Sequence, residues 1–363
     1  MISSLALAPA ASLANGPGQV ESQFDRLQEN TDEETFGFRE GSVVVAPVPF
    51  SNPMFGSGLA LGVGYLFKDK ARSNTSVIGL GGVRSDNGSK AAAALINLSL
   101  DNNRWKISAF AGQADVNYDL FIGNRPFPIK QDGLIGRLQL AYGPTETFSF
   151  GTTIRYLDTT VAPELPNLPP LPPPVSLDAS LKLVTFGINA DWDKRNDSDY
   201  PTEGQRISFA ASYGTSIEGL SRDYEKAWLL WDTYMSLTPQ GVLAFRTALC
   251  GASSETPFFD QCSIGGTDAF RGFSSAQYLD FRSTSVQVEY RQRLNKRWGV
   301  VAFGGIAWAG NTFDQMQQNG SHSAVGGGLR YRVSKKFPVD FSVDYSFNNE
   351  SEQLLYIYVG QRF

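Results

Sequence analysis

The sequence predicts an all-β chain, an antiparallel barrel of sixteen strands that crosses a membrane. Three observations predict it: apolar and polar residues alternate with period 2, aromatics gather near the ends of the apolar faces, and the connections alternate between short and long. The predicted strands also run to roughly ten to twelve residues, against the five or six usual in soluble sheets.

Taken in order, the predicted strands are 42–49, 56–67, 74–84, 89–100, 104–117, 131–142, 146–158, 180–192, 203–214, 224–237, 242–252, 282–294, 298–309, 323–333, 338–347 and 354–363. In the first half, Tyr65, Phe67, Tyr142, Phe148, Tyr156 and Trp192 stand near strand ends, and Asp101 to Asn103 and Gly143 to Glu146 make tight turns. Ile207, Phe209, Ala211 and Tyr213 then alternate with Arg206, Ser208 and Ser212. Thr238 to Gly241 turns into 242–252. The clearest stretch is Thr284 to Arg293, where Val286, Val288 and Tyr290 alternate with Ser285, Gln287, Glu289 and Arg291. Asn295 to Arg297 turns into 298–309, with Trp308 near its end. Val325, Leu329, Tyr331 and Val333 alternate with Gly326, Gly328, Arg330 and Arg332. After Ser334 to Phe337, Val339, Phe341, Val343, Tyr345 and Phe347 alternate with Asp340, Ser342, Asp344 and Ser346. The last segment sets Leu355, Ile357, Val359 and Phe363 on one face.

Longer connections are expected around 118–131, 159–179, 215–223, 253–281 and 310–322. Short turns on one side and long loops on the other are usual in outer-membrane barrels, with the short turns periplasmic. An even strand number then puts both termini in the periplasm. The loop 159–179 carries the proline run from Ala162 to Pro174, which favours polyproline II and cannot extend a ladder. It reads as a stiff surface loop or as a docking segment for an external partner.

Composition sets bounds on function. A single histidine, His322, leaves no His-ligated zinc site and no histidine acid/base pair. The net charge of −5 gives no whole-chain attraction for nucleic acid. No phosphate-binding loop, metal cluster or activated nucleophile stands out, so neither catalysis nor a cofactor is expected. Asp191 with Asp193, and Asp340 with Asp344, read as solvated turn and lumen charges rather than acid pairs.

Three regions are expected. Residues 1–16 resemble the end of a signal peptide without its basic n-region, which suggests a start assigned late. Residues 17–41 form an acidic periplasmic segment, and 42–363 form the barrel.

The most specific motif is Gly265-Gly266-Thr267-Asp268-Ala269-Phe270-Arg271-Gly272-Phe273, in the long loop before 282–294. With Asp193-Lys194-Arg195-Asn196, Pro201 and Gly204, with Glu289-Tyr290-Arg291, with Gly326 and Gly328, and with the terminal Phe363, it resembles the bacterial surface antigen superfamily, the BamA and TamA type of outer-membrane barrel. The resemblance covers about 42–363. It implies that the sixth external loop folds back into the lumen and that its Arg-Gly-aromatic tip is held there. Glu289 lies on the polar, lumen-facing set, so Arg271 can meet it as a charge-assisted pair. Gly272 permits close backbone approach and Phe273 packs on the lumen wall. The loop either only plugs the pore or also serves function. The family's strand-thirteen aspartate is missing from Phe303-Gly304-Gly305-Ile306-Ala307, so a second carboxylate for Arg271 would have to be Asp344 or Asp340.

Cys250 and Cys262 flank the entry to this loop. In an exported protein a bridge is favoured over two free thiols, and closing so short a loop contributes roughly 3 kcal/mol in the chain-entropy model.

The resemblance further implies a weak seam between first and last strands. Pro47 and Pro49, two residues apart, remove donors from one edge of the first strand, and Gly360 adds a flexible point to the last, which ends at Phe363. Function follows as an expectation: assembly or translocation of a polypeptide cargo at that seam, among outer-membrane lipid. Only 41 residues precede the first strand, so a short form without POTRA domains, served by a separate periplasmic partner, is expected. The alternative is a pore or structural surface barrel without insertase activity.

Overall fold

The alternation along the sequence becomes an inside and an outside. In the computed structural model, which describes residues 38, 41–70, 73–122, 125–163, 180–197, 200–219, 221–265, 270–332 and 340–363, sixteen strands close into one antiparallel barrel. They are β1 (Ser42–Asn52), β2 (Gly56–Lys68), β3 (Thr75–Ser85), β4 (Lys90–Leu100), β5 (Trp105–Ile122), β6 (Arg125–Tyr142), β7 (Phe148–Pro163), β8 (Ser180–Asp193), β9 (Gly204–Glu218), β10 (Asp223–Thr238), β11 (Gly241–Ala252), β14 (Arg282–Arg293), β15 (Trp298–Gly310), β16 (His322–Arg332), β17 (Asp340–Asn348) and β18 (Gln353–Val359). Between β11 and β14, β12 (Cys262–Ser263) and β13 (Leu279–Asp280) pair with each other as a separate two-stranded sheet. A short helix, α1 (Phe313–Gln318), caps the β15–β16 connection, with the Thr312 hydroxyl accepting from the Gln315 N–H.

The polarity is inverted relative to a soluble protein. Leu80, Phe186 and Val325 are more than half exposed on the outer face, whereas Glu289, Asp344 and Ser346 on the inner face are fully buried. Such a wall presents its hydrocarbon to lipid and keeps its charges inside. Aromatics mark the end where β1 begins and β18 finishes: Trp105 packs on Tyr142 at 4.9 Å, Trp298 on Tyr331 at 4.8 Å, and Phe38 on Phe67 at 5.1 Å.

The lumen has two characters. Along β2 to β8 it holds an apolar cluster of Leu66, Leu95, Phe110, Ile135, Leu157 and Leu183, into which Phe259 of the loop 253–281 packs, with Lys106, Arg137 and Arg155 buried on the same face. Along β9 to β18 it is polar and rich in arginine.

Three expected loops are shorter than the sequence suggested. The ladder of β5 and β6 runs on through Tyr118↔Ile129 and Leu120↔Phe127 to Ile122↔Arg125, so most of 118–131 is strand. Val116, Tyr118, Leu120 and Ile129 keep alternating inward there and pack beneath Ala276. The ladder similarly extends β7 to Pro163 and carries β9 and β10 into 215–223. The segments 1–16 and most of 17–41, together with the proline run beyond Pro163, lie outside the described residues.

Candidate functional site

The site is the loop 253–281 and the strands that hold it. Its base is pinned by the Cys250–Cys262 disulfide, with Cα atoms 5.7 Å apart. Beyond Cys262 the chain leaves and returns as the β12–β13 ladder, Cys262↔Asp280 and Ser263↔Leu279. Residues 266–269 of the motif, including Gly266, lie outside the described residues; Gly265 packs so tightly under the returning backbone that a Cβ there would stand 2.5 Å from the Ser274 carbonyl oxygen.

Burial pushes the Asp280 carboxyl up to about 6. Its folded value lies above the usual carboxylate range, so its ionisation opposes the folded loop as pH rises through that range toward 6, and the penalty is complete above it. Asp280→Asn therefore protects the loop against protease at pH 8 and leaves it unchanged at pH 4. Equal protection at both values would show that this carboxyl is not the cause.

At the tip, Arg271 is buried against β14, β15 and β17. Its guanidinium pairs with Glu289 at 2.5 Å and Asp344 at 2.7 Å, donates from Nε to Gln287 Oε1 at 3.0 Å, and lies 3.6 Å from the Phe303 ring centroid. The second carboxylate thus comes from β17, and the ring of Phe303 lies over the guanidinium. Arg291 pairs through Nε with Glu289 at 2.6 Å, Arg330 pairs with Asp344, and the Tyr358 hydroxyl donates to Asp344 at 2.6 Å. Three arginines therefore share two carboxylates. Charges buried this way are stable only when each carboxylate is fully bonded.

Gly272, at φ +124°, turns the chain directly after Arg271. Its N–H donates to the Tyr356 hydroxyl at 2.9 Å and its carbonyl accepts from Asn348 Nδ2 at 2.8 Å. Phe270 and Phe273 stack with centroids 6.0 Å apart and bury against Ile264, Ala307, Ala309 and Ala324. The glycines of β16 make room for this set: Gly326 faces Phe303, and Gly328 faces Asp344.

A second anchor has no counterpart in the sequence reading. Asp260, 1% exposed in the 3₁₀ turn Phe258–Asp260, pairs with Arg155 of β7 at 2.5 Å and accepts from the Tyr224 hydroxyl of β10 at 2.5 Å. Lys226 Nζ donates to the Asp260 carbonyl at 2.7 Å. The loop is thus tied to the lumen wall at two places, through Asp260 to β7 and β10 and through Arg271 to β14 and β17.

The expectation of solvated acids is corrected. Asp191 pairs with Arg206 and Asp193 with Arg195, both at 2.8 Å and largely buried. Asp340 and Asp344 are buried beneath Arg293, Arg332 and Arg330. The lumen there is packed with side chains, so each carboxylate is held by at least one arginine.

At the junction of first and last strands, β1 and β18 share a single register pair, Ser51↔Ile357, among the described residues. On either side the ladders are long, from Ser42↔Leu66 to Asn52↔Gly56 and from Phe341↔Val359 to Phe347↔Gln353. Pro47 and Pro49 share a strand edge with Ser51, and both are exposed. At Gly360, φ +88°, the chain leaves the sheet, and its N–H donates to the Asp340 carbonyl at 2.8 Å. Phe363, placed by the sequence reading on the outward apolar face, instead turns into the lumen. It buries with Tyr234 and Ala244, and the Arg246 guanidinium lies 5.0 Å from its ring. Four residues beyond Val359 the alternation no longer governs, because the backbone has left the ladder.

Residues 78–363 match a family model described as the Omp85 superfamily domain. Among solved structures, the chain is similar to BamA from Haemophilus ducreyi lacking POTRA domains 1–3, with a TM-score of 0.59 at 14% identity over 94% of this chain and 77% of that one. CdiB from Escherichia coli matches with a TM-score of 0.59 at 12% identity, over 94% of this chain and 70% of the other. CdiB from Acinetobacter baumannii gives 0.56 at 11%, over 87% and 59%. These likenesses are of fold. A search of curated proteins finds no match.

Proposed function

This chain belongs to the Omp85 superfamily, and from that membership we propose that it assembles or translocates polypeptide across the bacterial outer membrane at the β1–β18 seam. The barrel is integral to that membrane. In this reading both termini face the periplasm, the loop 253–281 enters from outside, and the cargo is a polypeptide.

The observation that carries the reading is the single Ser51↔Ile357 pair. A strand edge whose backbone donors and acceptors are largely unpaired with its neighbour can take an added strand at little cost, since few hydrogen bonds must first be broken. The prolines at 47 and 49 explain the poor pairing if their edge is the one turned to β18. Phe363 and the arginines around it then lie where cargo would approach from the periplasm. The alternative, an open pore, is disfavoured by the Arg271 and Asp260 anchors, which hold the loop across the lumen.

The test is a locked seam. Ser51 and Ile357 are directly opposed, so Ser51→Cys with Ile357→Cys can be bridged. Depletion of the protein removes particular outer-membrane or surface proteins, the unlocked double variant restores them, and the bridged form does not. An unchanged protein census with altered permeability would instead establish the pore.

A further inference from the structure

The returning arm of the loop 253–281 touches both sides of the seam within six residues, Gly272 to Gln277. On the last-strand side, Gly272 bonds Tyr356 and Asn348, and Gln277 Nε2 donates to Glu352 Oε1 at 3.1 Å. Asn348 also donates to Glu352 Oε2 at 2.8 Å, which joins these partners into one patch around the β17–β18 turn. On the first-strand side, the Ser275 hydroxyl donates to the Met54 sulfur at 3.1 Å, and Ala276 is buried in one apolar cluster with Met54 and Phe55 of the β1–β2 turn.

We propose that residues 272–277 are a strap that holds the seam shut from the loop side, and that it lets go on the β1–β2 side while staying bound to β17 and β18. Between themselves, β1 and β18 offer one register pair and a small apolar cluster around Val48 and Val359, whereas the strap joins their two hairpins by polar bonds on one side and apolar burial on the other. The two attachments are unequal. The β17–β18 side has a charged acceptor, Glu352, and stands beside Arg271, whose pairs with Glu289 and Asp344 fix the same stretch of chain. The β1–β2 side has a thioether acceptor, which is weak, and a small methyl, Ala276. Separation therefore falls between Met54 and Ser275. Strand β1 swings out with its hairpin, and the loop remains in the lumen.

This proposal rests on reading β1–β18 as a moving seam. Its test measures the seam directly, without cargo, so it can fail while the transport reading stands. In the full chain with Ser51→Cys alone as reporter, a thiol buried while the seam is closed, its labelling rate by a soluble maleimide is compared between the native strap and Met54→Ala combined with Ser275→Ala. Folding of each is checked by heat-modifiable migration on gels. The expected result is a labelling rate raised about fivefold, the effect of losing a weak hydrogen bond together with the burial of the Met54 side chain. A rate within twofold of the native one overturns the proposal. Should the alanine pair not fold, Met54→Cys with Ser275→Cys ties the strap to the first hairpin. Amide exchange along β1 must then slow on oxidation, and unchanged exchange overturns the proposal equally.

Discussion

In a Glu289→Gln barrel the loop 253–281 loses its hold on β14, and the fold loses about 3–5 kcal/mol, the usual cost of breaking a buried ion pair from one side. Glu289 is fully buried among Arg271 at 2.5 Å, Arg291 at 2.6 Å and Arg330 at 3.8 Å. Glutamine keeps the size but removes the charge, which leaves three guanidiniums facing Asp344 alone. The penalty is uncompensated because neither lipid nor bulk water reaches the pair. The expected readout is a heat-modifiability midpoint shifted to lower temperature, together with new tryptic cleavage after Arg271. Added salt should restore little, since screening acts weakly on buried pairs. Arg271→Lys should fail in the same direction, because an ammonium cannot reach both carboxylates and Gln287 as a planar fork while lying flat on Phe303. A Glu289→Gln protein with the native midpoint and an intact loop would show that the pair holds nothing.

The barrel was legible because its wall obeys the pleat. Where inner residues are polar, as at Gln287, Glu289, Ser342 and Asp344, each strand declares its two faces. Around β4, where alanines fill both faces and Leu95 points into an apolar cluster, the alternation is faint, and strand ends there are set by hairpin pairing. The Arg271 tip was legible as a local motif whose family resemblance points inward. Asp260 was not. Its partners Arg155 and Tyr224 lie 105 and 36 residues away, and only closure of the barrel brings β7 and β10 to face the loop. Phe363 misled because alternation assigns faces only while the chain stays in the ladder, and Gly360 takes it out. The same limit applies to the seam. Two prolines on one edge can be read from sequence, but which neighbour that edge meets depends on the register of the closed sheet.

Gly272→Ala separates steric from conformational demand at the tip. With φ at +124°, any L side chain is strained, by roughly 1–2 kcal/mol in the left-handed region. The added Cβ would also overlap the Ala324 methyl on β16, which is itself buried. Carbon atoms settle at about 3.5–4.0 Å, so the tip must back away from the wall by well over an ångström. That movement exceeds what the bonds to Tyr356 and Asn348, at 2.9 and 2.8 Å, can absorb. The expected single-variant loss is therefore about 2–4 kcal/mol, strain and overpacking together, with the loop open to protease although Arg271 and its carboxylates are intact. Ala324→Gly on the second strand removes the overlap and leaves the backbone strain. The double variant should recover part of the heat-modifiability midpoint, and its loop should regain protection before its full stability returns. If the double variant is no better than Gly272→Ala alone, the contact with β16 is not what fixes the tip, and the demand for glycine is conformational only.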